Sequence, residues 1–238
     1  LVKTICFKDP TYIGDPINAV RIFNEKEVDE IVILDITASK ENREPKYEWL
    51  KDIVSESFMP LAYGGGIKNL EQIKKLFDIG IEKIIINSAI FDFKLITKAA
   101  SIFGNQSIVA SLDVRKSLWG DYQIYTQSGR VRHNANLEDL TKTIVEAGVG
   151  EIIIQSINCE GKMKGYDLEL IKKVTKTVNV PVVASGGAGS LKDFKDAIKL
   201  GGASAVAAGS LFVYKGIYKA VLINYPDSNS IKKIFNNE

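Results

Sequence analysis

One stretch of the chain occurs twice, 121 positions apart from Pro60 to Pro181 and without a gap, and this repeat constrains the fold most. The first copy is PLAYGGGIKNLEQIKKLFDIGIEKIIINSAIF, residues 60–91; the second is PVVASGGAGSLKDFKDAIKLGGASAVAAGSLF, residues 181–212. Gly65 and Gly66 pair with Gly186 and Gly187, Leu70 with Leu191, Gly80 with Gly201, and Phe91 with Phe212. Upstream, Glu30, Ile31 and Ile33 pair with Glu151, Ile152 and Ile154 at the same offset. Residues 30–91 and 151–212 are therefore two versions of one half, and so long a period denotes a duplicated half-domain rather than a solenoid.

Each copy reads as strand, glycine turn, helix, strand and small-residue turn. The short apolar run before the glycines suits a buried parallel strand. Asn69 and Ser190 stand at helix N-caps, with Gln72 and Asp193 three residues on and Gly80 and Gly201 after the last turn. Leu70, Ile73, Leu76 and Phe77 make an apolar stripe at helical spacing, as do Leu191, Phe194, Ala197 and Ile198. A glycine pair at a strand's carboxyl end makes a tight βα turn in any case. Two pairs in register, each followed at the next strand end by Ser88 or Ser210, favour a stronger reading, in which backbone N–H groups and a helix N-terminus cradle an anion.

With 238 residues, 45% of them hydrophobic, and no apolar run of membrane-spanning length, the chain is expected to be soluble and to form a single barrel domain over 1–238. Its 31 basic and 29 acidic residues give no argument for nucleic acid. Cys6 and Cys159 are too few for a disulfide scaffold, and no signal peptide is visible, so the expected setting is a reducing cytoplasm. Helices are predicted near 16–26, 43–57, 69–79, 92–103, 136–147, 167–178 and 190–200, with one or two short ones after 214 and a polar tail at 226–238. Strands are predicted at 31–36, 60–63, 83–87, 107–113, 151–156, 180–184 and 204–208, with a small hairpin at 121–132 around Ser128-Gly129. This alternation gives a parallel sheet with right-handed crossovers, hence a (β/α)₈ TIM barrel made of two duplicated half-barrels. Seven strands are in view. The offset places the eighth before Leu1, so the expectation is that an N-terminal strand and its loop, about 15–20 residues, are absent from this sequence.

In such a barrel function sits at the carboxyl ends of the strands. Those ends carry Asp35, residues 64–66, Asn87-Ser88, Asp113, the loop from Asn158 to Lys164 with Gly161, Ser185-Gly186-Gly187 and Gly209-Ser210. Two facing cradles suit an extended ligand with a phosphate at each end. Asp113 closes the strand SIVASLD, where a partly dry carboxylate exchanges protons; the bland alternative is a brace between loops. Asp35 faces the same choice, and a structural or orienting role is favoured. Glu160 is either a second acid or base or a solvated loop acid, and Lys3 is a candidate anion contact on the first loop. His133, the only histidine, lies on the predicted hairpin, away from both cysteines, so a Cys-His nucleophile or a zinc site is disfavoured and no cofactor is expected. Glu30, Lys83 and Glu151 open strands at the opposite end, as a charged ring that either stabilises the barrel or gates a passage.

The motifs LDITAS (34–39), GGGI (64–67), IINSA (85–89), SLDV (111–114), GYD (165–167), ASGGAG (184–189) and AAGSLF (207–212), with Lys3 and GDP (14–16) upstream, resemble the cyclase subunit of imidazole glycerol phosphate synthase over residues 1–214. The resemblance implies a lyase-type barrel that forms a heterodimer with a glutaminase, receives ammonia at its underside and passes it along the axis. The ammonia attacks a bisphosphate ribulose-formimino substrate, giving imidazole glycerol phosphate and an aminoimidazole carboxamide ribotide. By position it assigns Gly66, Asn87 and Ser88 to one phosphate, and Gly187, Gly209 and Ser210 to the other. Gly65, Gly186, Gly161 and Asp35 complete the expected substrate contacts, Asp113 matches one of two catalytic aspartates, and Glu30, Lys83 and Glu151 match the gate.

The chain also departs from that pattern. Glu160 and Asn158 stand where the family has Asp, Gln155 replaces a Thr, and the loop TICFKDPTYIGDP lacks the usual glycine and asparagine. A paralogous branch that accompanies a glutaminase in surface-polysaccharide loci, delivering ammonia for sugar amidination, is more similar here. A sugar isomerase on the same duplicated barrel and a non-catalytic ammonia conduit are the other readings.

Overall fold

Short β-branched runs bounded by Pro, Gly and Asp alternate with capped amphipathic segments, and the computed structural model, which describes residues 1–236, places one element on each. The chain starts with an antiparallel hairpin, β1 (Val2–Ile5) and β2 (Lys8–Tyr12), and helix α1 (Pro16–Glu25). The first half continues as β3 (Ile31–Leu34), α2 (Tyr47–Ser55), β4 (Leu61–Gly64), α3 (Leu70–Asp78), β5 (Lys83–Ile86) and α4 (Phe93–Phe103). The second half runs β6 (Ile108–Lys116), the strands β7 (Tyr122–Thr126) and β8 (Val131–His133), α5 (Leu137–Glu146), β9 (Glu151–Ser156), α6 (Leu168–Thr175), β10 (Val182–Ser185), α7 (Leu191–Lys199), β11 (Ala205–Ala207) and α8 (Ser210–Val213). A two-residue pairing of β12 (Tyr214–Lys215) with β13 (Ala220–Val221) and helix α9 (Ser228–Asn236) follow. Of the tail at 226–238, α9 accounts for most, and residues 237–238 lie outside the described ones.

The seven predicted barrel strands pair in parallel in the order β3-β4-β5-β6-β9-β10-β11, the curled sheet of a TIM barrel, with β3 and β11 at its edges. Strand β6 runs past its neighbours and carries β7 and β8 as an antiparallel extension, the hairpin predicted around Ser128-Gly129. The first loop is a correction. It forms the β1–β2 hairpin, whose turn residues Cys6 and Phe7 have φ of 52° and 64°, a conformation usually signalled by Asn-Gly. No helix of the described residues is long and apolar enough to cross a membrane.

The duplication is visible in the local chemistry. Asn69 caps α3 by accepting from the Gln72 amide at 2.9 Å, while the Gln72 side chain accepts from the Lys68 amide at 2.7 Å. In the second copy the Asp193 carboxylate accepts from the Gly189 and Ser190 amides, both at 2.8 Å. The helix ends differ. Gly80 takes a left-handed φ of 100°, whereas in the second copy that role moves from the expected Gly201 to Gly202, at 77°.

Strand alternation divides the apolar residues into two sets. Ile84, Ile86, Ile108, Ala110, Ile152 and Ile154 face the helices in the main core. Ala62, Ile85, Val109 and Ile153 form a second, smaller cluster with Val183 against it, inside the curl of the sheet. On β3 the inward residues Val32 and Leu34 are 36% and 51% exposed, because that edge of the lumen is uncovered.

Candidate active site

Inward-facing residues repeat every second position, so each strand carries a bottom, a middle and a top. Strand β5 presents Lys83 and Ile85, followed by Asn87 just past its end, β9 presents Glu151, Ile153 and Gln155, and β6 presents Val109, Ser111 and Asp113. Charge lies at the bottom, an apolar layer in the middle and polar groups at the mouth.

Asp113 is 8% exposed, with Tyr125 of β7 on one side and Gln155 of β9 on the other. Burial pushes its carboxyl up to about 7, against opposing hydrogen bonds from Ser111 and Asn87. The Asn87 side chain also donates to the Ser111 carbonyl at 3.0 Å, which fixes its orientation. A carboxyl of this kind changes protonation near neutral pH, as a general acid or base must.

Lys3 and Glu160 meet at the mouth, with Nζ 4.0 Å from Oε1. A Cβ on Gly209 would lie 2.5 Å from Lys3 Nζ, so the amine rests against the start of α8. Burial lowers the Lys3 pKa, and Glu160 opposes that shift. The Glu160 carboxylate is taken up by the first hairpin, accepting from Thr4 Oγ1 and from the Phe7 amide, each at 3.0 Å, while the Cys6 amide donates to its carbonyl at 3.1 Å. It thus holds the strained β1–β2 turn over the mouth. Glu160→Gln should cost this latch about 1.5–3 kcal/mol, the scale of a hydrogen bond to a charged group. Hydrogen exchange at the Cys6 and Phe7 amides is expected to accelerate while α3 and α7 stay protected; unchanged exchange at both turn amides would contradict the latch.

Asp35 is a brace. Its Oδ1 accepts from the Thr37 and Ala38 amides at 3.1 Å each, from Thr37 Oγ1 at 3.0 Å and from Arg43 Nη2 at 2.8 Å. Burial raises its pKa, but these bonds and the Arg43 guanidinium outweigh it and leave the carboxyl below the usual range. The expected place of Asp35 among the substrate contacts is therefore filled by its own loop.

That loop packs on the first glycine pair, with Gly65 and Gly66 at φ of 131° and 72° and no room for a Cβ against the Asp35 and Arg43 carbonyls. Gly186 and Gly187, at 86° and 122°, are crowded in the same way by the carbonyls of Ser156 and Gly165. Tight packing explains part of this glycine usage. The Gly66 and Gly187 amides, however, donate to no described residue, and at the next strand ends stand Ser88, whose Oγ lies 3.0 Å from Ser39 Oγ, and Ser210 opening α8. Gly161, at φ 74°, lets the loop after β9 touch the Thr4 carbonyl of the hairpin.

At the bottom, Lys83 Nζ lies 2.7 Å from Glu30 Oε2 and 3.0 Å from Glu151 Oε2, so the three residues predicted as a ring do meet. Burial works against the Lys83 charge, but the two carboxylates prevail and raise its pKa. His133 is set aside from all this, its Nε2 2.8 Å from Thr126 Oγ1 and its ring 4.5 Å from that of Phe91. Among the described residues no group of three or more His, Cys, Asp or Glu is placed to hold a metal. The sequence reading missed Thr4 and Phe7, which act through contacts over 150 positions apart, and Arg43, which reaches Asp35 across a loop that carries no motif.

Residues 1–219 match the family model described as histidine biosynthesis protein. A Pseudomonas aeruginosa protein provisionally named imidazole glycerol phosphate synthase subunit hisF2 is 50% identical over 232 residues, 97% of this chain and 92% of its own length. A Leptospira interrogans protein, provisionally named imidazole glycerol phosphate synthase subunit HisF, is 50% identical over 237 residues, 99% of this chain and 93% of its own. Imidazole glycerol phosphate synthase subunit HisF of Alkaliphilus metalliredigens is 40% identical over 218 residues, 91% of this chain and 86% of its own. With a barrel sheet, two copy-related glycine turns and a buried Asp113 at its mouth, the chain belongs to the histidine biosynthesis protein family, in the line of the cyclase subunit of imidazole glycerol phosphate synthase.

Proposed function

We propose that the chain is the cyclase subunit of a glutamine-dependent amidotransferase complex, a lyase that closes an imidazole ring on a bisphosphate ribulose-formimino substrate. Ammonia comes from a glutaminase docked on the amino-terminal face. The observation that carries this reading is the order of layers inside the sheet: the Lys83 cluster below, the apolar layer of Ala62, Ile85, Val109 and Ile153 in the middle, and Asp113 above. A neutral amine suits such an apolar passage, whereas an ammonium ion is held back by its desolvation cost. The amides of Gly66 and Gly187, with Ser88 and Ser210, take the two phosphates, and Lys3 adds charge beside Gly209. Asp113 moves a proton during ring closure.

One variant tests the passage. Lys83→Met should leave turnover driven by added ammonium salt within about twofold while lowering glutamine-driven turnover of the complex by tenfold or more, the scale of one lost positioning contact. Equal effects on both would count against a gate at Lys83.

A second reading also has an observation behind it. The chain is 50% identical to the hisF2 relative but 40% identical to the Alkaliphilus HisF, and its Glu160 is engaged by the hairpin. Both fit a paralogue that hands ammonia to another acceptor, such as a sugar undergoing amidination, or acts only as a conduit. Glutamine hydrolysis by the complex without ring closure would favour it.

A further inference from the structure

A cavity of about 250 Å³ opens beside the mouth, lined by Cys6, Phe7, Lys8, Lys40, Arg115 and the turn Ser128–Arg130 and by no residue of either glycine cradle. Its four cations come from separate parts of the chain: Lys8 from the first hairpin, Lys40 from the loop after β3, Arg115 from β6 and Arg130 from the β7–β8 turn. No described carboxylate lies within ion-pair distance of any of the four. Folding therefore assembles like charges that repel one another and leaves them without a counter-charge.

The assembly is built rather than incidental. Ser128 Oγ donates to the Ile36 carbonyl at 2.9 Å, tying the β7–β8 turn to the loop that carries Lys40. Gly129, at φ 76°, lets the turn pack closely: a Cβ there would sit a tight 3.1 Å from the Phe7 ring and 3.6 Å from Arg115 Nη2. The Arg115 guanidinium lies 4.7 Å from the centre of the Tyr125 ring, which orients it by a cation–π contact. The strained Cys6–Phe7 turn brings Lys8 to the same place.

We propose that Lys8, Lys40, Arg115 and Arg130 form a third anion site, built for a diphosphate group. Four cations exceed what one orthophosphate needs, while a diphosphate offers more charge and acceptor oxygens on both phosphoryl groups, which suits two guanidiniums and two ammoniums. The cavity is smaller than the roughly 300–1,000 Å³ of pockets that enclose a whole drug-sized ligand, so it holds the charged group while the rest of the molecule lies outside. Occupancy neutralises the repulsion and draws the first hairpin, the β3 loop and the β7–β8 turn together.

Calorimetric titration of the full chain with inorganic pyrophosphate and, separately, with ADP tests this. Wild type is expected to show a binding event that Lys8→Gln/Arg130→Gln weakens about 100-fold, since each lost charge-assisted bond is worth tenfold or more. Both side chains are exposed, so the variant keeps its fold; Lys40→Gln, on a different segment, should weaken the same event about tenfold. Ser210→Ala, in the second cradle, must leave it unchanged, which separates this site from the phosphate contacts proposed above. Tighter binding of ADP than of pyrophosphate would place the diphosphate on a nucleotide, and equal binding would assign the site to the diphosphate group alone. The proposal is overturned if wild type shows no such event, or if the double variant binds both probes like wild type.

Discussion

Asp113→Asn is expected to lower ring-closing turnover by about 10²–10⁴-fold, the usual cost of losing a positioned acid or base. Acting as the base, Asp113 works in its ionised form, so wild-type turnover should fall below its pKa of about 7, and the residual activity of the variant should lack that acid limb. Stability should move the other way. Because burial raises the folded pKa above the unfolded 3.8, the folded state binds more protons between about pH 4 and 7, and wild-type stability falls as pH rises through that window. Asparagine carries no charge to bury. At pH 8 the variant should therefore be more stable than wild type by a few kcal/mol, on the order of 2–4 at about 1.36 per pKa unit, with the difference vanishing near pH 4. Denaturant titrations at the two pH values measure this, and a variant equally stable or less stable at pH 8 would remove Asp113 from the buried, proton-exchanging role.

The second large effect is expected at Gly187. At φ 122° a side chain is strained, and a Cβ would collide with the Gly165 carbonyl oxygen and crowd the Cys159 side chain. Strain of about 1–3 kcal/mol and a displaced loop of about 1–3 predict that Gly187→Ala loses roughly 2–6 kcal/mol, a large share of a typical domain's 5–15. Gly120→Ala is the control. Gly120 has φ 94° with nothing within 4 Å of a new Cβ, so only the backbone strain of about 1–2 kcal/mol applies. Urea midpoints for the two variants separate collision from strain, and a Gly187→Ala cost no larger than that of Gly120→Ala would refute the packing described here.

Much of this architecture can be read in the chain because the duplication repeats its local signals. Asn69 with Gln72 and Ser190 with Asp193 announce two helix starts 121 positions apart, and both helices begin there. The strands are legible since apolar β-branched runs such as Lys83–Ile86 and Glu151–Ser156 lie between turn residues. What stayed hidden depends on contacts that no local motif announces. The Cys6–Phe7 turn lacks the Asn-Gly signature because its left-handed conformation is stabilised from outside, by Glu160. Asp35 looks like a ligand contact in the sequence, and only Arg43, eight positions on, shows where its carboxylate is spent. The move from Gly201 to Gly202 reflects two adjacent glycines, either of which satisfies the local rule. Lys8, Lys40, Arg115 and Arg130 form no run, and their convergence follows from the fold alone.

The central claim is that ammonia entering below the Lys83 cluster is consumed at Asp113. Its most direct test is product analysis by NMR of the full chain with the glutaminase proposed as its partner, supplied with the ribulose-formimino bisphosphate and either glutamine labelled with ¹⁵N in the side-chain amide or ¹⁵N-ammonium. The account predicts ¹⁵N in the imidazole ring of imidazole glycerol phosphate from both sources, and its formation from both slowed about 10²–10⁴-fold with Asp113→Asn. Glutamine hydrolysed at full rate with the bisphosphate left intact, even under saturating ammonium, would contradict it.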